Sequence, residues 1–148
     1  MNTPVAILLN QKDSSVYSVP TSVTVAEAVY IMNQHHVGCV VVMDTGRMAG
    51  IFTERDVMNR VVSCGRTPSM TSISDAMTRN PVTVGPRASV EEVMMLFSLH
   101  HCRHIPVLDE EIEPPGVLGI ITVGDVNRWI LGEYGSATAA RRASIGTG

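Results

Sequence analysis

The chain has 148 residues, 45% of them apolar and 17% charged, with a formal net charge of −3. A chain of that length buries about 70% of its unfolded surface, enough for one domain or two small fused ones. The weak acidic balance and scattered basic residues argue against a nucleic-acid binder, and no apolar run approaches the ~20 residues that span a bilayer.

Residues 1–9 contain the apolar stretch Val5–Leu9, expected to pack on the rest of the molecule or on a second copy. The start has no basic segment followed by a long apolar core, so no signal peptide is expected. Thr24 and Glu27 have capping-box spacing, and Val25, Ala28, Val29 and Met32 form an apolar face, predicting a helix over 25–35. Gly38–Met43 reads as a strand, Asp44–Arg47 as a hairpin turn, Met48–Phe52 as the return strand, and Thr53 to about Val62 as a helix. Residues 64–69 are a linker, and Ser72–Met77 a helical turn. A second series follows: a strand at Val82–Val84, a helix from Ser89 to about His100, a strand over 104–108, a hairpin, a strand over 117–121 and a helix over 122–132. After Gly132 the chain turns rich in Gly, Ser, Ala and Thr, and a flexible tail is expected over 135–148.

The two series are copies. Thr24-Val25-Ala26-Glu27 returns 65 residues later as Ser89-Val90-Glu91-Glu92, and Val40–Asp44 as Ile105–Asp109. Gly50-Ile51-Phe52-Thr53-Glu54-Arg55-Asp56-Val57 returns 69 residues later as Gly119-Ile120-Ile121-Thr122-Val123-Gly124-Asp125-Val126, the difference falling in a longer second hairpin. Such self-similarity sets the architecture. The repeats run over 12–66 and 75–134, each with the order β-α-β-β-α, after an N-terminal segment over 1–11. A three-stranded sheet with two helices on one face leaves its other side to be buried, and two such halves can cover one another.

Each signature carries a hydroxyl where a strand gives way to a helix, and a carboxylate three residues on. The first N–H groups of a helix are unpaired and its dipole is positive there, which suits a phosphate near Thr53 or Thr122. Asp56 and Asp125 lie one turn further on the same face and can accept the two hydroxyls of a ribose. The same spacing also describes a plain helix cap, although capping boxes favour Glu or Gln at the fourth position.

The paired Gly-Ile-x-Thr-x-x-Asp signatures, Arg103–Asp109, Asp75-Ala76-Met77-Thr78 and the repeated element order resemble a tandem pair of CBS (cystathionine β-synthase) domains, a Bateman module. The likeness covers about residues 10–132. It implies an α/β (α+β) fold of two repeats about a pseudo-two-fold axis, with adenosine ligands in clefts between them and pairing into disc-like dimers. It also implies an adenine slot in each repeat, formed by Ser18-Val19-Pro20 against Val40-Val41 and by Thr83-Val84-Gly85 against Ile105-Pro106. Arg103 and His104 align with Gly38 and Cys39, and Arg55 with Gly124. Each half is therefore expected to own one phosphate-binding cation, Arg55 in the first and Arg103 in the second, with one tighter and one weaker site.

Other prominent residues have plainer readings. The pairs His35-His36 and His100-His101 fall at helix ends, where histidine complements the dipole, and they lack the partners a metal needs. Cys39, Cys64 and Cys102 are odd in number and far apart, which points away from a disulfide framework and toward a reducing cytoplasm. No nucleophile elbow, phosphate-loop lysine or paired-carboxylate motif is present, so no enzyme and no catalytic cofactor is expected. The expected function is a sensor of AMP, ADP, ATP or NAD that signals to a partner protein or a dimer mate. The alternative is a dimerisation module without a ligand.

Overall fold

The hairpins carry the fold. In the computed structural model, which describes residues 2–12 and 15–132, β2 (Cys39–Asp44) and β3 (Arg47–Thr53) pair antiparallel, as do β5 (His104–Asp109) and β6 (Gly116–Thr122). The first hairpin turns at Thr45 and Gly46, with φ of 47° and 80°. Two successive positive φ values let a tight turn follow the twist of its strands. The registers match residue for residue: Cys39 faces Thr53 and Val40 faces Phe52, while His104 faces Thr122 and Ile105 faces Ile121. Both hairpins shift register at one place, Val42/Met43 and Val107/Leu108. The longer second loop is absorbed beyond that point and leaves the signature's geometry unchanged.

The helices before the hairpins follow their caps. Thr24 accepts from Glu27 N at 3.2 Å and Glu27 returns to Thr24 N at 3.3 Å, starting α2 (Val25–His35), which buries Val25, Ala28 and Met32. Its counterpart α5 (Val90–His100) starts at Ser89, which accepts from Glu92 N at 3.1 Å, and buries Val90, Val93 and Phe97. Both end on a left-handed histidine, His36 and His101.

The sheets depart from the expected equal triplets. In the first half β1 (Ser18–Pro20) runs parallel to β2, and the linker adds β4 (Thr78–Arg79) beyond β3, making four strands in the order β1-β2-β3-β4. In the second half the strand expected at Val82–Val84 shrinks to one parallel bridge, Val84 to Val107, beside β5 and β6. Pro106 supplies the reason. Its counterpart Val41 donates its N–H to Tyr17 O at 2.9 Å. Proline has no N–H to give, so the matching bond to Val82 is absent. The helix expected from Thr53 to Val62 is α3 (Glu54–Asp56) running into a π-helical stretch, Val57–Val62, which widens the turns beside the candidate site.

Two separate cores form, and each is completed by the segment that precedes the other repeat. α1 (Val5–Asn10) buries Val5, Leu8 and Leu9 among Val90, Val93, Phe97, Ile105, Val107 and Ile121 of the second half. α4 (Ile73–Ala76) buries Ile73 and Ala76, with Met77, among Val25, Met32, Val40, Phe52 and Val61 of the first half. Backbone bonds repeat the exchange. Val25 N donates to Thr71 O at 2.9 Å, and Val90 N donates to Thr3 O at 2.9 Å. The expectation for Val5–Leu9 is met in this specific form. A last helix, α6, occupies residues 123–132; the expected tail over 135–148 lies outside the described residues.

Candidate functional site

Each signature closes a capping box with its own aspartate. Thr53 N donates to Asp56 Oδ2 at 3.0 Å and Asp56 N donates to Thr53 Oγ1 at 3.3 Å. Thr122 N donates to Asp125 Oδ2 at 2.8 Å and Asp125 N to Thr122 Oγ1 at 3.0 Å. The following N–H groups reach back to the start of the strand opposite: Glu54 N to Gly38 O at 3.1 Å and Val123 N to Arg103 O at 3.2 Å. Both aspartates are buried, Asp56 at 5% and Asp125 at 7% exposure. The glycine opening each signature gives room for the exchanged segments. A Cβ at Gly50 would stand 2.4 Å from Thr78 O, and one at Gly119 would stand 2.9 Å from Leu9 Cδ2.

Two clefts lie beside these caps. One, of about 440 Å³, is lined by Thr53, Glu54, Arg55, Asp56, Asn59 and Arg60 of the first half. Its opposite wall comes from the second half: Asn80, Pro81 and Val82, then His100 to His104. The other, of about 340 Å³, is lined by Ile120, Thr122, Asp125 and Arg128 of the second half, and by Ser15 to Tyr17 and His36 to Cys39 of the first, with Lys12. The clefts are thus crossed. Each signature faces the other repeat's leading segment and helix-end histidine, as a pseudo-two-fold axis requires. His104 borders both.

Crossing brings together the two cations expected in separate halves. Arg55 and Arg103 both line the Asp56 cleft, because the start of β5 faces the first signature. Arg55 donates to His101 O across the cleft, whereas the Arg103 guanidinium forms no hydrogen bond or ion pair among the described residues. The Asp125 cleft draws its cations from places not singled out in the sequence. Lys12 Nζ lies 2.6 Å from Asp125 Oδ2 and donates to Ile120 O at 2.6 Å; Arg128 lies 2.5 Å from Asp125 Oδ1. Arg128 folds back over the helix start, where a Cβ at Gly124 would stand 3.4 Å from its guanidinium, so Gly124 vacates the space that Arg55 fills in the other copy. Asp56 is held differently, by the Thr78 hydroxyl at 2.9 Å and by Arg60 at 3.4 Å.

The residues expected to form the adenine slots lie away from both clefts. Ser18 and Pro20 are exposed, and Val19, Val40, Val41, Val84, Ile105 and Pro106 are buried in the sheets. None of these, nor Thr83 or Gly85, lines either cleft. Register explains this placement. Ser18 pairs with Val41, in mid-sheet, whereas the cleft lies at the level where Cys39 meets Thr53. The leading segments reach that level at 15–17 and 80–82.

The charges respond to this setting. Burial alone would raise the Asp125 carboxyl, but the Lys12 and Thr122 donors outweigh it and hold it below the usual carboxylate range. Burial pushes His104 below the usual imidazole value, with Arg103 and Lys12 acting the same way and Glu54 and Asp125 opposing them. Burial, helped by the Asp56 carboxylate, pushes the Cys39 thiol up to about 12, leaving it inert. Among the described residues no group of three His, Cys, Asp or Glu could hold a metal ion.

The fold and the paired sites define a duplicated regulatory module, and the comparisons say which. The CBS domain family matches residues 11–63 and 73–132, and the chain belongs to that family. The mitochondrial CBS domain-containing protein CBSX3 of Arabidopsis thaliana is 36% identical over 127 residues, covering 82% of this chain and 60% of its own length. The crystal structure of a CBS-domain containing protein from Agrobacterium tumefaciens is 35% identical and superposes with a TM-score of 0.77, over 85% of this chain and 98% of its own. The CBS domain pair of protein MJ0100, solved with 5'-methylthioadenosine and S-adenosyl-L-methionine, shares the fold at 23% identity and a TM-score of 0.74, over 86% of this chain and 99% of its own. No helix among the described residues is long and apolar enough to cross a membrane.

Proposed function

We propose that the protein is an adenine-nucleotide sensor whose two clefts take AMP, ADP, ATP or NAD. The observation that carries this reading is the crossing of the clefts. A molecule beside Asp56 or Asp125 touches both repeats at once, so its binding free energy favours one relative orientation of the halves and shifts the population toward it. Thr53, Asp56, Thr122 and Asp125 act as the phosphate and ribose ends, and the segments 15–17 and 80–82 take the place of the slot expected at 18–20 and 83–85. The fold also holds adenosine derivatives in the MJ0100 pair. The Asp56 cleft is the better site for polyphosphates, since the Arg103 guanidinium stands there unengaged among the described residues, whereas both cations of the other cleft already hold Asp125.

Calorimetric titration of AMP, ATP and NAD into the wild type, Asp56→Ala and Asp125→Ala tests the reading. Each substitution should remove one set of sites; unchanged binding in both variants sinks it.

The signal would pass to a second copy or to a regulated protein. Met58 and Val62 on the π-helical stretch, and Met95 and Leu99 on α5, are 60–72% exposed, an apolar surface suited to a homodimer. The free thiols Cys39, Cys64 and Cys102 support a reducing compartment such as the cytoplasm. One observation favours the second reading, a dimerisation module without ligand: both aspartates are fully engaged within the chain. Absorbance at 260 nm in the purified protein separates the two, because only the sensor carries nucleotide with it.

A further inference from the structure

The two aspartates are held by different chemistry. Asp56 receives a neutral hydroxyl, from Thr78, and one guanidinium, from Arg60. Asp125 receives two cations, and one of them, Lys12, comes from the far end of the chain, immediately after α1. The Lys12 side chain is only 27% exposed. Its ammonium has three N–H groups, of which one meets Asp125 and one the Ile120 carbonyl. Lys12, with Asp125 and Arg128, lines both the Asp125 cleft and an adjoining cavity walled by Leu8 and Trp129.

Oδ2 already accepts from both Lys12 and Thr122 N, so a ribose hydroxyl that binds there displaces this ammonium. A neutral nucleoside returns only an uncharged hydroxyl acceptor, and a half-buried cation that loses a charge-assisted partner is costly. A nucleotide brings a phosphate to which the ammonium can turn on its flexible stem. Resting on the reading of the clefts as nucleotide sites, we propose that Lys12 is the specificity-determining residue of the Asp125 cleft: it occupies the ribose-binding carboxylate and yields it to ligands that carry an anionic group. At the other cleft Thr78 and Arg60 both sit on Oδ1 of Asp56, and Oδ2 accepts only from Thr53 among the described residues, so no cation has to leave it.

Trp129 is the single tryptophan and lies in the cavity that shares Lys12 and Asp125, so its fluorescence reports on this cleft. Adenosine and AMP are titrated into the wild type, Lys12→Met, Lys12→Gln and Lys12→Arg, with thermal melting to confirm folding. The wild type should prefer AMP by about tenfold or more, the size of one charge-assisted hydrogen bond. In Lys12→Met, or in Lys12→Gln if the first does not fold, adenosine should tighten and the preference should fall toward one, and Lys12→Arg should restore it. A preference unchanged in the neutral variants, with binding intact, overturns the role of Lys12 alone. Absence of any response to either compound in the wild type, by fluorescence and by heat, overturns the nucleotide reading and this proposal with it.

Discussion

Replacing Gly50 with alanine tests whether the signature's glycine is a packing requirement. The new Cβ would stand 2.4 Å from the Thr78 carbonyl oxygen and 3.1 Å from Met77 Sδ. The first neighbour is backbone, in a strand whose Arg79 and Thr78 pair with Gly50 and Ile51, so no rotamer change relieves it. β4 must move outward by more than half an ångström, an overpacking cost of about 1–3 kcal/mol. The same movement draws the Thr78 hydroxyl off Asp56, a hydrogen bond to a charged group that contributes about 1.5 kcal/mol. Together these give about 3 kcal/mol, or a fall in Tm of about 9 °C for a chain of this length. Circular dichroism melting at pH 7 reads it directly. Gly119→Ala is the matched control: its neighbours are the terminal carbons of Leu9, at 2.9 and 3.1 Å, which can rotate away. That variant should lose about 1 kcal/mol. A Gly50→Ala protein that melts within about 2 °C of the wild type, or no lower than Gly119→Ala, would refute the reasoning.

Leu8→Ala should cost about 3 kcal/mol in urea unfolding although Leu8 precedes both repeats, because its side chain is 3% exposed in the core of the second. His104 predicts a pH dependence. Its folded-state value lies below the unfolded one, so the unfolded chain binds the extra proton, and stability is full above about pH 6.5 and falls as the pH drops below it. The groups that act on it are Glu54, Arg103, Lys12 and Asp125, and denaturant melts at pH 7.5 and 5 should show a smaller loss in His104→Gln than in the wild type. Asp125 has the opposite origin but the same sign at lower pH: its stabilisation is present above about pH 4 and is lost as the pH falls through its lowered value, so Asp125→Asn should flatten the acid limb. A thiol reagent at pH 8 should modify the exposed Cys64 in the native protein and reach Cys39, with its thiol pushed up to about 12, only on unfolding.

The architecture was legible in the sequence because its carriers are local. The cap at Thr24, the turn at Thr45-Gly46 and the constant spacing between copies depend on residues a few positions apart, and a repeat announces itself without a fold. The same locality exposed Thr53, Asp56, Thr122 and Asp125, and it would have exposed Arg60 and Arg128 as well, since they stand four and three residues beyond their aspartates on the same helical face. What the local pattern did not contain was which copy faces which. Alignment within repeats assigns Arg55 and Arg103 to different halves, whereas the pseudo-two-fold axis brings both to one cleft.

A duplicated β-α-β-β-α unit and a Thr and Asp pair in each copy can be read along the chain, because periodicity, caps and turns are written in neighbouring residues. The crossing of the clefts, the strand that Pro106 removes from the second sheet and the completion of each repeat by the segment before the other emerge only in three dimensions. So does the reach of Lys12 to Asp125, 113 positions away. Contacts of that kind are set by how two sheets and two exchanged segments pack, and packing is a property of surfaces that the order of residues along one strand does not record.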